Sequence, residues 1–299
     1  MRFSRGFEEY HRRILGSEYG DFIESVSSPP VRGSVRVNTL KSSRDEVEDA
    51  LSRDRIDFAP IPWCCDGLWV SLERGLPEFE HQLGFFYVQG AGSMIPPVLL
   101  DAGPGMSVLD LCAAPGSKAT QLAQSMGNEG VLVANEPNYK RIRGLVFNLQ
   151  RCGVSNCVVT KFDGCGFEKQ GLTFDRVLVD APCSGVGTAG KNRDVLGDWS
   201  LERVKRFSGL QKKLIVSGFR SLKPGGVLVY STCTTSLGEN EEVVEHVLDL
   251  FDDAQVLKAK PEGLVSRIGL TPATRNCLRV YSFLNGTGSY FIAKIGKNG

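Results

Sequence analysis

The chain is predicted to be an α/β protein, a mostly parallel sheet with helices on both faces, preceded by a small α+β module. Three features point there. From about residue 107, apolar strand-like runs alternate with helix-like stretches, the order that builds parallel crossover units. The preceding segment instead mixes short alternating runs with a capped helix, within roughly sixty residues, the small end of domain size. The length of 299 residues accommodates one large α/β unit and such a module.

In chain order, Phe7, Tyr10, Ile14 and Leu15 recur at helical spacing, and Pro29-Pro30 ends that segment. Val35-Arg36-Val37-Asn38-Thr39-Leu40 alternates as a strand does. Ser42-Ser43 ahead of Asp45, Glu46 and Glu48 marks the start of a helix running through Leu51. Runs at 58–61 and 68–70 read as further short strands. Phe85-Phe86-Tyr87-Val88-Gln89-Gly90 and a helical stretch at 93–100 lead out of the module. The expected domains are therefore 1–92 and 93–299. In the second, strands are expected at 107–111, 131–135, 157–162, 174–179, 226–230 and 289–295, with helices at 118–126, 139–151, 201–222 and 239–251. Lys223-Pro224-Gly225-Gly226 is a breaker-rich turn feeding a buried strand.

Composition excludes several classes. Hydrophobic content of 41% and charged content of 23% are ordinary for a globular protein. No apolar run approaches the ~18 residues needed to cross a membrane. Met1-Arg2-Phe3-Ser4-Arg5 opens into an acidic, aromatic segment without the apolar centre of a signal peptide, so the expected location is the cytoplasm. The nine cysteines are odd in number and scattered, which argues against a disulfide framework. There is no Cys-x-x-Cys, and His11, His81 and His246 are the only histidines, so no metal site is expected. The net charge of +1 does not mark a nucleic-acid binder. Its distribution does more: residues 191–224 carry nine basic side chains, Lys191 and Arg193 among them, against three acidic ones. That suits a phosphate backbone as well as a solvated helix face.

Ligands of open α/β sheets gather at the carboxyl ends of strands. There the run 107–111 opens into Cys112-Ala113-Ala114-Pro115-Gly116-Ser117-Lys118, 174–179 into Asp180-Ala181-Pro182-Cys183-Ser184-Gly185, and 226–230 into Ser231-Thr232-Cys233-Thr234. The first turn is neither a dinucleotide fingerprint nor a phosphate loop. Glu136, just past the second strand, is placed to accept from a ribose diol; Asp163, just past the third, from an exocyclic amine. Each acid alone is more often a helix cap or a solvated loop residue. Together with the turn they describe a nucleoside pocket without strong phosphate chemistry, which S-adenosylmethionine fits. Methyl transfer to carbon 5 of cytosine needs a thiolate adding at carbon 6, since carbon 5 is a weak nucleophile; this is covalent catalysis. Asp180 is a reasonable partner for ring nitrogen 3 and the amino group. Either Cys183 or Cys233 could be the nucleophile, and neither has a histidine nearby in sequence to activate it.

These motifs resemble the Nol/Nop/Sun (Fmu-type) family of RNA cytosine-5 methyltransferases. The resemblance rests on residues 112–118, Asp180-Ala181-Pro182-Cys183-Ser184-Gly185, and Leu222-Lys223-Pro224-Gly225-Gly226 followed by Tyr230-Ser231-Thr232-Cys233. Arg36-Val37-Asn38-Thr39-Leu40, Tyr87-Val88-Gln89 with Ser93-Met94, and Tyr290-Phe291-Ile292-Ala293-Lys294 support it. It covers about residue 31 to the end. It implies a Rossmann-like class I S-adenosylmethionine-dependent methyltransferase fold with a mostly parallel seven-stranded sheet, behind a small RNA-recognition-like module. It implies Cys233 as nucleophile and Cys183 in product release or turnover. Cofactor contacts are implied from Cys112, Ala113, Ala114, Pro115, Gly116, Ser117, Lys118, Glu136, Arg141, Asp163 and Asp180, with Lys118 also near the reacting base. The sequence departs from the family at Ser117, where Gly is frequent, and at Ser282-Phe283, where Pro-His is common. With no appended domain after residue 299, the chain resembles compact transfer-RNA-directed members. The expected partner is thus RNA, transfer RNA ahead of ribosomal RNA, bound by a monomer. The rival readings are a DNA cytosine methyltransferase using Cys183 and a catalytically silent RNA-binding assembly factor.

Overall fold

The computed structural model describes residues 3–28, 32–73, 75–190 and 194–299. The Met1-Arg2 start, the Pro29-Pro30 break, and Lys191 and Arg193 of the basic stretch lie outside the described residues.

Two helices lead, α1 (Arg5–Leu15) and α2 (Tyr19–Ser27). A four-stranded antiparallel sheet follows, built from β1 (Gly33–Val37), β2 (Phe58–Ile61), β3 (Cys64–Val70) and β4 (Phe86–Val88) in the order β2-β3-β1-β4. Helices α3 (Arg44–Arg53) and α4 (Glu78–Leu83) interrupt it. The start of α3 is a capping box: Ser43 accepts from the Glu46 amide while Glu46 reaches back to the Ser43 amide, two otherwise unpaired donors satisfied together. Val35, Val37, Val47, Leu51 and Leu68 form this module's own core.

After α5 (Ile95–Leu100) the large sheet begins. Its strands are β5 (Ser107–Asp110), β6 (Val131–Asn135), β7 (Cys157–Thr160), β8 (Phe174–Asp180), β9 (Leu222–Thr232), β10 (Ala254–Val256), β11 (Arg267–Ile268), β12 (Leu278–Val280) and β13 (Tyr290–Lys297). The helices are α6 (Ser117–Ser125), α7 (Tyr139–Arg151), α8 (Asp194–Gly197), α9 (Leu201–Arg220), α10 (Glu241–Leu250) and α11 (Ser282–Asn285). Strand order is β11-β12-β13-β9-β8-β5-β6-β7, with β10 pairing β13. Strands β5 to β9 pair in parallel and β10 to β13 antiparallel. This is the class I S-adenosylmethionine-dependent methyltransferase arrangement, with the short edge strands β10 and β11 beyond the seven expected.

Alternation along the buried strands shows why helices must cover both faces. Val108, Leu178 and Val229 pack into one cluster with α5 and α6 residues such as Leu99 and Leu122. Their neighbours Leu109, Val177, Val179, Leu228 and Tyr230 pack into the other, with Leu214, Phe219 and Val244 of α9 and α10. Successive strand residues face opposite sides, so both faces are apolar and both need a layer.

The leading helices pack on the loop that follows Cys183. Phe7, Phe22 and Val26 share a cluster with Val186, Leu196, Trp199 and Tyr281. At the unusual Ser282-Phe283 position the chain makes the one-turn α11, with Ser282 Oγ 2.6 Å from Ser25 Oγ. Tyr281 and Phe283 stack at 5.4 Å. Among the described residues no helix is long and apolar enough to cross a membrane, and no cluster of His, Cys, Asp and Glu could hold a metal ion.

Candidate active site at the strand ends

The chain order reverses at β5: β6 and β7 lie to one side and β8 and β9 to the other. Such a switch point leaves a crevice at the carboxyl ends of the strands. Four expected groups meet on this edge. Asp180 ends β8 opposite Ser231 of β9. Lys118 Nζ donates to Asp180 Oδ2 at 2.6 Å, and Ser231 Oγ donates to Asp180 Oδ1 at 2.7 Å. The carboxylate is thus fixed from two sides. Lys118 is only 8% exposed, so its amine is held where an unpaired cation would be costly. Cys183 and Cys233 bring their sulfurs to 3.2 Å, and both are free thiols.

The hydrogen bond with Cys233 and burial push the Cys183 thiol well above its usual range. Cys183 is thereby favoured in its protonated form, and a protonated sulfur is the weaker nucleophile.

Three buried side chains that the sequence reading passed over hold this pair in place. Glu239 accepts from the Ser184 amide at 2.8 Å and from Ser184 Oγ at 2.6 Å. Gln211 joins them, donating to Pro182 O at 2.8 Å and to Glu239 Oε2 at 3.1 Å. Asn240 accepts from Thr232 Oγ1 at 2.6 Å and donates to Thr234 O at 3.1 Å. Adjacent residues thus fasten the loops on either side of the two sulfurs. Burial raises the Glu239 carboxyl above its ordinary value. From outside, α1 closes the Cys233 loop: His11 Nε2 lies 2.9 Å from Thr235 Oγ1, and the Leu237 amide donates to Tyr10 Oη at 2.9 Å. Burial pushes His11 down to about 4, which leaves it neutral near neutral pH.

The turn after β5 carries the expected cofactor residues. Ala114-Pro115 is a cis peptide, and Gly116 caps α6 at φ 108°, a backbone region that favours glycine. A Cβ there would also meet the Leu145 side chain at 3.2 Å. Ser117, at the departure from the family pattern, is simply the first residue of α6. Arg141 ties the turn to Glu136: it donates to Ala114 O at 2.6 Å and lies 2.9 Å from Glu136 Oε2. Glu136 is 1% exposed and its Oε1 accepts from the Asn138 amide at 2.9 Å. Asp163 stands apart: it is exposed and caps the turn after β7 by accepting from the Cys165 amide at 3.0 Å.

One further acid belongs to this edge. Asp110 is 1% exposed, and its Oδ2 has no hydrogen-bond partner among the described residues. Burial, then the charge of Asp180, pushes its carboxyl up to about 7. The strand reading 107–111 contained it, and its signal was an acid closing an apolar run. A buried carboxylate oxygen without a donor, beside Glu136 and the Gly116 turn, fits a ligand carrying both cationic and hydroxyl groups. S-adenosylmethionine has those groups.

Comparison with known proteins agrees. A family described as 16S rRNA methyltransferase RsmB/F matches residues 97–296, and one described as the N-terminal domain of 16S rRNA methyltransferase RsmF matches residues 3–91. Ribosomal RNA small subunit methyltransferase F of Aliivibrio fischeri (strain MJ11) is 42% identical over 278 residues, covering 90% of this chain and 58% of the relative. The chain spans under two thirds of the length of the curated relatives it matches. A solved methyltransferase homolog protein from Pyrococcus horikoshii superimposes with a TM-score of 0.88 at 34% identity, covering 99% of this chain and 95% of that one. NSun6 from Pyrococcus horikoshii, solved with SFG, shares the fold with a TM-score of 0.89 at 22% identity, covering 99% of each chain. The relatives' names speak of ribosomal RNA, against the transfer-RNA preference and the compact type expected from the sequence.

Proposed function

The chain belongs to the RsmB/F family of 16S rRNA methyltransferases, and we propose that it methylates carbon 5 of a cytosine in small-subunit ribosomal RNA, with Cys233 as nucleophile. The observation that carries this reading is the pair of sulfurs 3.2 Å apart beside the Lys118–Asp180 ion pair. S-adenosylmethionine, the cofactor of this fold and family, supplies an electrophilic methyl group. The residues proposed to hold it are Asp110, the turn 112–118, Glu136, Arg141 and Asp180; Asp163 is retained only if its carboxylate turns from its cap.

The remaining steps belong to the chain and the RNA. The Cys233 thiolate adds to carbon 6 of an unstacked cytosine, and carbon 5 becomes nucleophilic as an enamine. Asp180, fixed by Lys118 and Ser231, accepts from the cytosine amino group and from protonated nitrogen 3. After methylation the carbon 5 proton leaves to a base and the Cys233–carbon 6 bond breaks. Cys183, protonated beside Cys233, is proposed to assist product release by donating its S–H hydrogen bond to the departing Cys233 thiolate, which leaves as the carbon 5–carbon 6 double bond reforms. The target must be flipped out, since carbon 6 is unreachable in a stacked helix. The same reading takes the protein as a cytoplasmic monomer divided near residue 92. It takes the exposed basic residues of α9, Lys205, Arg206, Lys213 and Arg220, as phosphate contacts.

RNA carrying 5-fluorocytosine tests the central claim, because fluorine cannot leave as the proton does and the adduct persists. Wild type and Cys183→Ser should form the adduct and Cys233→Ser should not. Loss at Cys183→Ser alone would overturn the assignment and favour the rival cysteine. Labelled methyl transfer to 16S ribosomal RNA, with total transfer RNA in parallel, tests the substrate: incorporation into transfer RNA only would return it to the sequence expectation.

A further inference from the structure

A cavity of about 270 Å³, lined by Gly187 and Tyr290 among others, lies outside the cofactor turn. A second, of about 430 Å³, continues from it, sharing Arg32, Trp69 and Gly286. The groove runs between the small sheet and the methyltransferase sheet, and nothing in the proposed reaction uses it.

Three features say what it takes. One lining residue, Gly187, is bonded to the Cys233 backbone: its amide donates to Cys233 O at 2.9 Å, and the Ser289 amide donates to Gly187 O at 3.0 Å. Tyr290 lines the same end, one residue before Phe291, which pairs with Thr232. The groove therefore adjoins the segment that carries the proposed nucleophile. Second, its lining has a single sign of charge: among the described lining residues no carboxylate occurs, and the one charged group is Arg32. Third, the Arg32 guanidinium carbon lies over the Trp69 ring, 3.9 Å from its centroid. A guanidinium over a ring face keeps its donors free for the edge of a base or for a phosphate.

We propose that this groove binds the RNA nucleotide adjoining the target cytosine, its unstacked base read at the Arg32–Trp69 platform. The proposal rests on the RNA methyltransferase reading above. Flipping one nucleotide displaces its neighbour from the stack, and single-stranded RNA is recognised through such splayed bases on aromatic and guanidinium planes. A base with two acceptors on one edge, as guanine has, suits the guanidinium fork. The small-residue wall at Gly187, Gly286 and Gly288 leaves room beside the backbone. Thr188 and Thr287 add hydroxyls of the kind that contact sugar and phosphate.

Once bisulfite mapping has located the target cytosine, short RNAs made abasic at its 5′ or its 3′ neighbour provide the test. With wild type, one of the two should lose about 5- to 150-fold in kcat/KM, the range for losing one stacked base. Arg32→Ala should raise KM on the intact RNA and remove most of the difference between intact and abasic RNA. Arg32→Lys, which keeps charge but not the planar fork, should restore phosphate attraction without restoring that discrimination. Equal kcat/KM on all three RNAs, or an abasic penalty untouched by Arg32→Ala, would overturn the subsite. The 5-fluorocytosine adduct of wild type on intact RNA separates the two claims: its absence refutes the RNA cytosine reading, and its presence with no neighbour effect refutes the subsite alone.

Discussion

Two fully buried arginines fasten the two halves of the site, and they do so by opposite means. Arg36, on β1, donates to Gln89 Oε1 at 2.6 Å, Ser117 O at 2.8 Å, Thr120 Oγ1 at 2.9 Å and Gln124 Oε1 at 3.2 Å. Every one of these acceptors is neutral. It docks the small sheet on the first turns of α6, the helix that presents Lys118. Arg279, on β12, makes a two-pronged pair with Glu241 at 2.6 Å on each oxygen and donates to Thr235 O at 3.1 Å. It holds the loop after Cys233, next to Glu239 and Asn240. Burial pulls the Arg36 guanidinium down to about 10. Burial opposes the Arg279 charge too, yet the Glu241 hydrogen bonds lift it above its ordinary value. Arg36 thus fastens the cofactor half through carbonyl, amide and hydroxyl groups, and Arg279 the nucleophile half through an ion pair. Removing Arg36 orphans dipoles, whereas removing Arg279 orphans a buried carboxylate.

That difference sets the largest expected effect. Arg279→Met should cost about 3–5 kcal/mol in urea unfolding, because Glu241, 0% exposed, loses its counter-ion. The double change Arg279→Met with Glu241→Leu should recover most of it, since apolar replacement of a whole buried pair is often neutral. Arg36→Met should cost less, about 1–3 kcal/mol, the scale for unsatisfied neutral groups, and should weaken cofactor binding through α6. Equal costs, or a larger one at Arg36, would break the contrast.

Much of the architecture was legible because buried parallel strands are nearly continuous apolar runs. The stretch 174–179 could hardly be anything else, and Phe174–Asp180 is the observed strand. Edge strands β10 and β11 escaped, being two or three residues long with no period to detect. Of the site, the strand-end cysteines, Asp180 and Lys118 could be read from motif order. Their support could not. Arg36 was visible within a motif, but its acceptors lie 53 to 88 residues away, so its role exists only in three dimensions. Glu239 and Asn240 looked like the start of a helix, with nothing local to say that they face the Ser184 and Thr234 loops.

Glu239 sharpens the nucleophile half. Both its oxygens accept, from the Ser184 amide and hydroxyl and from Gln211. Glu239→Gln keeps the shape but turns an NH2 toward one of those donors, at a cost of about 1–3 kcal/mol. It should lower kcat and slow adduct formation on 5-fluorocytosine RNA while leaving cofactor affinity unchanged. A fall in cofactor affinity with unchanged kcat would place Glu239 in the wrong half.

The pH response of the cofactor half turns on Asp110, whose Oδ2 has no hydrogen-bond partner among the described residues. Its folded carboxyl sits at about 7, against about 3.9 in an unfolded chain. The folded state therefore holds a proton that the unfolded state releases between those values. The associated stability is fully present below about pH 4, is lost as pH rises to about 7, and changes little beyond. Asp110→Asn removes the titration: it should match wild type near pH 4.5 and exceed it by a margin that grows toward pH 7.5, measured by urea unfolding without cofactor. A margin that instead shrinks with rising pH would mean that Asp110 is already paired in solution. In that case Asp110 would be held by charge just as Glu241 is in the nucleophile half.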